Sequence, residues 1–248
     1  MRTLSAQELL SVWEQGLIQQ PVQRALTLLA VACPETLPKQ LAELSIGQRD
    51  GLLLTLREWT FGSQIQSLAT CPNCGDRLEL LFSVADIRVS ALTQSAEALS
   101  VEIADYMVQF RLPNSLDLLA IAASANLKND QKSSQKALLE RCLVNVCYHE
   151  ETQSIKQLPP DVVNAVITQM AKADPQADIQ LNLSCPACGH QWQSIFDIVS
   201  FFWSELHAWA IRVLREVHIL ASAYGWREAD ILAMSSYRRQ LYLGMVGK

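Results

Sequence analysis

The sequence predicts an α+β fold, mainly helical, in which N- and C-terminal helices flank a split cysteine ribbon interrupted by an α/β insert. Three observations predict it. Cys71-Pro72-Asn73-Cys74-Gly75 and Cys185-Pro186-Ala187-Cys188-Gly189 are two copies of one phrase. Their neighbourhoods align at an offset of 114 residues: Ile65-Gln66 falls on Ile179-Gln180, Leu78 on Trp192, Leu81-Phe82 on Ile195-Phe196 and Val84 on Ile198. Elsewhere apolar residues recur mostly at the three-to-four spacing of helices, with one alternating, strand-like run.

In chain order, Ser5 reads as an N-cap, and Glu8 three residues on completes a capping box for a first helix with Leu9, Leu10, Val12 and Trp13 on its apolar side. Pro21 opens a second helix through Val31, which Pro34 and Pro38 break. A third, from about Gly47 to Phe61, carries Leu52, Leu53, Leu56 and Trp59 and ends at Gly62, a C-cap. These stripes read as core. Residues 63–87 form the first ribbon half.

The insert opens on a polar stretch, Ser90 to Glu97, followed by Val101 and Ile103. Tyr106, Val108, Phe110 and Leu112 then alternate with Met107, Gln109 and Arg111, the pattern of a half-buried strand with its turn at Ala104-Asp105. Pro113 stops it, and Ser115 is placed to cap a helix through Leu118, Leu119 and Ile121. Residues 125–136 read as a loop, Ala137 to Val146 as a helix and 148–158 as loop again. Pro159-Pro160 lead into a helix with Val162, Val163, Val166, Ile167 and Met170 on one side, ended by Asp174-Pro175, and the second ribbon half returns at Asp178.

Phe202, Leu206, Trp209, Val213, Val217, Leu220 and Tyr224 then step by three or four into one seam, closed by Gly225. It can face the chain's own N-terminal helices or another subunit. Short helices from Arg227 to Ala233 and Ser236 to Met245 fold back as a hairpin. The predicted division is 1–62 (N-terminal helices), 63–87 plus 177–198 (ribbon), 88–176 (insert) and 199–248 (C-terminal helices).

Each cysteine phrase sets two thiols on a tight turn in which Pro fixes one dihedral and Gly takes the left-handed conformation that aims backbone N–H groups at sulfur. That is a zinc knuckle, and it supplies two ligands. Structural zinc takes four, at about 2.3 Å each, so Cys71, Cys74, Cys185 and Cys188 are expected to meet across one ion per chain. Two separate sites, a disulfide pair or a thioredoxin-like redox motif are the alternatives; the last needs only one Cys-x-x-Cys on a βαβ unit, which nothing here suggests. His190 follows the second knuckle and could replace a thiolate. A closed shell of four thiolates leaves no position for water, so such a metal is structural.

Half of the residues are hydrophobic and 18% charged, a low share that implies a large interior or apolar contact with partners. The net charge of −5 and the scattered Lys128, Lys132, Lys136 and Arg238-Arg239 give no basic stripe for nucleic acid. The N-terminus carries no apolar signal core, and Val199 to Tyr224 is broken by Glu205, Arg212, Arg215 and Glu216, too many charges for a membrane span. A cytoplasmic protein is expected, with Cys33, Cys142 and Cys147 as free thiols. No phosphate loop, dinucleotide turn, nucleophile elbow or His-Glu-x-x-His pair occurs; His149-Glu150-Glu151 reads as a solvated run, and His207 and His218 as helix histidines. No catalytic residue is expected.

Arg-Glu-Trp-Thr-Phe-Gly (57–62) before the first knuckle, Leu78-Glu79-Leu80 and Phe82-Ser83-Val84-Ala85-Asp86-Ile87 after it, Phe110-Arg111-Leu112-Pro113, and the ending Tyr224 to Leu232 with Arg238-Arg239 and Tyr242-Leu243 resemble one family beyond about residue 50. It is the baseplate-hub assembly proteins of T-even-type contractile phages and their relatives in bacterial contractile injection systems. The resemblance implies a non-enzymatic component or chaperone-like assembly factor of a baseplate hub. Its implied partners are baseplate hub, spike or tail-tube proteins; from charge and hydropathy, as above, no nucleic acid and no membrane span are expected. Two other classes compete: a zinc-ribbon adaptor of transcription or translation machinery, which lacks its usual basic or aromatic face here, and a metal-dependent enzyme, which needs two ions with open positions.

Overall fold

The computed structural model describes residues 1–89, 99–125, 131–149, 151–152 and 158–246, so the expected polar stretch Ser90 to Glu97 lies outside the described residues. The helices are α1 (Ala6–Gly16), α2 (Pro21–Ala32), α3 (Pro38–Glu43), α4 (Ile46–Phe61), α5 (Val84–Ile87), α6 (Ser115–Ala125), α7 (Gln131–Cys142), α8 (Pro160–Ala173), α9 (Ile198–Tyr224), α10 (Glu228–Leu232) and α11 (Ser236–Leu243). The strands are β1 (Gln64–Thr70), β2 (Arg77–Ser83), β3 (Leu99–Ile103), β4 (Tyr106–Phe110), β5 (Leu143–Tyr148), β6 (Glu151–Thr152), β7 (Gln180–Ser184) and β8 (Gln191–Ile195). The chain is α+β and mainly helical. It divides into two compact units, Met1–Thr36 with Ile198–Lys248, and Leu37–Asp197.

In the first unit α1 begins with the expected box: Ser5 Oγ accepts from the Glu8 backbone N–H at 3.3 Å, and the Glu8 carboxylate accepts from the Ser5 N–H at 2.9 Å. Leu9, Leu10, Val12 and Trp13 of α1 are buried, as are Ala25, Leu28 and Leu29 of α2. Both helices pack on α9, which answers the question of what its seam faces. Phe202, Leu206, Val213, Val217 and Leu220 are buried there, whereas Trp209 is half-buried and Tyr224 exposed. Tyr224 instead stacks on Trp226, centroids 4.5 Å apart, and meets Tyr242 edge-on, so the helical hairpin after Gly225 is closed by aromatics. His207 accepts a hydrogen bond at Nδ1 from the Trp13 indole at 3.0 Å. Among the described residues no helix is long and apolar enough to cross a membrane.

The second unit holds α4, the two hairpins and the insert. Ser45 and Gln48 cap α4 reciprocally, and Gly62, at φ 89°, ends it. The insert is a four-stranded antiparallel sheet in the order β3-β4-β5-β6, with α8 packed on it through a core of Val108, Phe110, Leu143, Val146, Val162 and Val166. The expected turn is there: Ala104 and Asp105 are both left-handed, the pairing a two-residue hairpin loop requires. Residues 87–89 are brought beside the end of the insert by Gln176, which accepts from the Val89 N–H at 2.7 Å and donates to the Ile87 carbonyl at 3.2 Å.

Four local readings are corrected. Pro38 opens α3 instead of only ending α2, since its missing N–H is harmless at a first helical position. Helix α7 starts at Gln131, inside the expected loop, and ends at Cys142. Leu143 to Val146, expected to prolong it, belong to β5, whose Val146 and Cys147 pair with Val108 and Met107. Helix α6 is capped by Asn114 and not Ser115: Asn114 Oδ1 accepts from the Asp117 N–H, and Asp117 Oδ2 accepts from the Asn114 N–H, both at 3.1 Å. On α8, Val162 and Val166 are buried while Ile167 is half exposed.

Candidate metal centre

Two hairpins build the site, and they are copies in register as well as in sequence. Ile65 pairs with Phe82 in the first, and the Ile179 carbonyl accepts from Phe196 N–H in the second; Thr70 pairs with Arg77 and Ser184 with Gln191. At each tip the first cysteine's N–H donates to the residue after the glycine, Cys71 to Asp76 (2.8 Å) and Cys185 to His190 (2.9 Å). The glycine N–H then returns to that cysteine's carbonyl, at 2.9 Å in both turns. This closure needs a left-handed residue, and Gly75 (φ 76°) and Gly189 (φ 70°) supply it.

The four expected ligands come together. The sulfurs of Cys71, Cys74, Cys185 and Cys188 lie within 4.8 Å of one another. Contacts run between the hairpins, Cys71 to Cys188 at 3.7 Å and Cys74 to Cys185 at 3.6 Å. Four thiolates bound tetrahedrally at about 2.3 Å have sulfur–sulfur edges of about 3.8 Å, so the donor set fits one metal ion with little adjustment. Cys71 and Cys185 are each 1% exposed and pack with Leu78, Leu80 and Trp192, while Cys74 and Cys188 face solvent.

Sulfurs this close cannot all carry charge unless a cation joins them. The Asn73 amide, donating at 3.6 Å, and a backbone hydrogen bond at His190 hold the Cys188 thiol down to about 6. A backbone hydrogen bond at Asp76 pulls Cys74 the same way, but hydrogen bonding with Cys188, Cys185 and Cys71 outweighs it and pushes that thiol up to about 12. Without metal, the cluster shares its protons unequally.

The remaining cysteines stand apart: Cys33 and Cys142 are buried and Cys147 is half-buried, outside the cluster. The His190 ring is also outside it, stacked near Trp192 at 6.0 Å. Asn73 is the contact that sequence reading missed. Its equivalent in the second knuckle is Ala187, so the repeat concealed it.

A family model described as T4 bacteriophage base plate protein matches residues 8–203. The match takes in both hairpins and the Arg111-Leu112-Pro113 strand end. It also covers residues 8–50, where no likeness was expected, and stops before the Tyr224 to Leu232 ending. No curated protein and no solved structure matches the chain.

Proposed function

Because the chain belongs to the T4 bacteriophage base plate protein family, we propose that it is a non-enzymatic structural or assembly protein of a contractile-tail baseplate hub, held in shape by one zinc ion. It acts through contacts with hub, spike or tail-tube subunits. The family match is the observation that carries the reading.

The cysteine cluster supports the structural half of it. Zinc favours four thiolates in a tetrahedron, and Cys71, Cys74, Cys185 and Cys188 present them from two segments more than a hundred residues apart. Bound there, zinc would tie the two hairpins together, and with them the two ends of the insert that Gln176 also joins. Its coordination would be complete, leaving no open position for substrate. Exposed apolar side chains on the hairpins and the C-terminal helix, Leu68, Leu81, Ile195 and Tyr237, suit a protein that works by contact.

The test is quantitative mass spectrometry of what co-purifies with the tagged chain from its native host, set beside purified contractile particles. Baseplate, spike or tube subunits in the pull-down support the reading, and presence in the finished particle separates component from assembly factor. Ribosomal or polymerase subunits in their place overturn it in favour of an adaptor.

A further inference from the structure

We propose that the four-cysteine cluster is also an oxidation site, whose product is two disulfides between the hairpins, Cys71–Cys188 and Cys74–Cys185. The inference deepens the metal reading above and rests on it.

The geometry puts sulfurs in contact across the repeat. Two contacts, at 3.7 Å and 3.6 Å, join one hairpin to the other. Exchanging the two copies turns Cys71–Cys188 into Cys185–Cys74, so the two pairs are geometric copies of each other. A disulfide needs its sulfurs at about 2.05 Å, a closure of under 2 Å from contact.

Access divides each pair alike. Cys188 and Cys74 are exposed, and their partners Cys71 and Cys185 are 1% exposed. A peroxide therefore reaches one sulfur of each pair and not the other. The exposed thiolate, Cys188 for instance, attacks a peroxide oxygen; the S–O bond forms, the O–O bond breaks, and hydroxide leaves. The Cys71 thiolate then attacks the Cys188 sulfur, forming S–S and expelling a second hydroxide. Two thiolates and one hydrogen peroxide give one disulfide and two hydroxides. The sulfur pair loses two electrons, which the peroxide gains. With the other pair treated likewise, no thiolate remains to hold a metal ion.

The pairing decides the consequence. Disulfides within each knuckle, Cys71–Cys74 and Cys185–Cys188, would free the hairpins from each other as the metal leaves. Disulfides between knuckles keep residues 71 and 188 together, so a metal-held tie becomes a covalent one and the fold outlasts chelation in an oxidising medium.

The experiment uses the full-length chain. Its zinc content is measured by elemental analysis; it is then titrated with hydrogen peroxide while a chromophoric chelator reports zinc release, and disulfides are mapped by non-reducing peptide mass spectrometry. Trypsin leaves Cys71 and Cys74 on the peptide 58–77 and Cys185 and Cys188 on 173–212, so bonds between knuckles link two peptides and bonds within them do not. The expected result is two cross-linking disulfides for each zinc released, paired 71–188 and 74–185 on fragmentation, with two peroxides consumed. Disulfides within the knuckles, or sulfinic acid at Cys74 and Cys188, overturn the inference and leave the metal reading intact. A chain purified without zinc sinks the metal reading, while the disulfide map of that chain still tests the pairing.

Discussion

The rings of Phe82 and Phe196 meet edge to face, with centroids 5.6 Å apart and planes at 85°. They occupy the same position in the two hairpin copies, 114 residues apart. Equivalent residues touch each other in this way where two copies are related by a two-fold rotation. The cysteine contacts obey the same relation, each inter-hairpin pair mapping onto the other. The two hairpins are therefore a pseudo-symmetric pair within one chain, with four sulfurs near one end and two phenyl rings where the strands run out.

This relation makes the aromatic pair a second tie between the hairpins. Truncating Phe82 or Phe196 to Ala, both half-buried, is expected to lower stability by about 1–3 kcal/mol each. The double variant should fall short of the sum by about 1 kcal/mol, the coupling of an edge-to-face pair. Urea denaturation of the four chains measures it, and strict additivity would show that the rings merely lie close.

Removing one buried ligand should undo the centre. Cys71→Ser or Cys185→Ser leaves three thiolates around a site that wants four, and zinc in small finger peptides contributes an apparent 10–16 kcal/mol, as much as a whole domain's stability. Metal content is expected to fall below one ion per chain, and amide exchange across β1, β2, β7 and β8 to accelerate. Chelation of the native chain should give the same exchange pattern. Native-like exchange in either variant would mean that the hairpins stay joined without the metal.

Two glycines of α4 should answer the same substitution with opposite signs. A Cβ on Gly47 would sit 1.9 Å from Asp174 Oδ1, and that carboxylate already accepts the Gly47 N–H at 2.9 Å. A Cβ on Gly51 meets nothing within 4 Å. Gly47→Ala is expected to lose about 1–3 kcal/mol by displacing Asp174. Gly51→Ala should gain about 0.5–1 kcal/mol from the lower entropy of the unfolded chain and better helix propensity. Thermal melting of both decides whether the contact or the propensity governs.

How much of this was legible in the sequence depended on how far away each residue's partner lies. Caps are local, so Ser5 with Glu8 and Gly62 were readable. The four clustered cysteines have distant partners, yet they betray themselves because the same phrase occurs twice. Strand β5 has neither advantage: Val146 closely follows a helix in sequence and is recruited into the sheet by Val108, almost forty residues earlier. Asn73 was hidden because its copy is Ala187. Asp117 and Glu216 look like ordinary surface carboxylates until the fold buries them, at 1% and 7% exposed.

Asp117 should give the second unit a specific acid sensitivity. Burial alone would raise it, but the Arg111 guanidinium (2.6 and 2.8 Å), the Asn114 N–H and Arg141 (3.0 Å) together hold it below the usual carboxylate range. A folded value under the unfolded one of about 4 means stability that is fully present above pH 4 and lost as pH falls through the folded value. Asp117→Asn is expected to cost about 3 kcal/mol at neutral pH. The gap between variant and native chain should then narrow below about pH 4, a difference from which metal loss common to both chains cancels. A gap that stays constant down to about pH 2 would assign the cost to packing alone.

Glu216 poses the converse case in the first unit. It sits in α9 among apolar neighbours, and its carboxylate accepts from Arg239 Nε at 2.9 Å and Gln240 Nε2 at 2.7 Å. Arg239, 4% exposed, spends a further N–H on the Met234 carbonyl at 2.7 Å, so the pair also ties α11 and the turn before it to the long helix. Breaking such a pair from one side strands a buried charge, whereas replacing both partners with apolar groups of similar volume is often neutral or better. Arg239→Met is therefore expected to lose about 3–5 kcal/mol, and Glu216→Leu combined with Arg239→Met to recover most of it. Urea denaturation of the three chains tests the sign of the coupling. If the double variant is as unstable as the single one, the ion pair holds α11 in place by geometry that an apolar contact cannot supply.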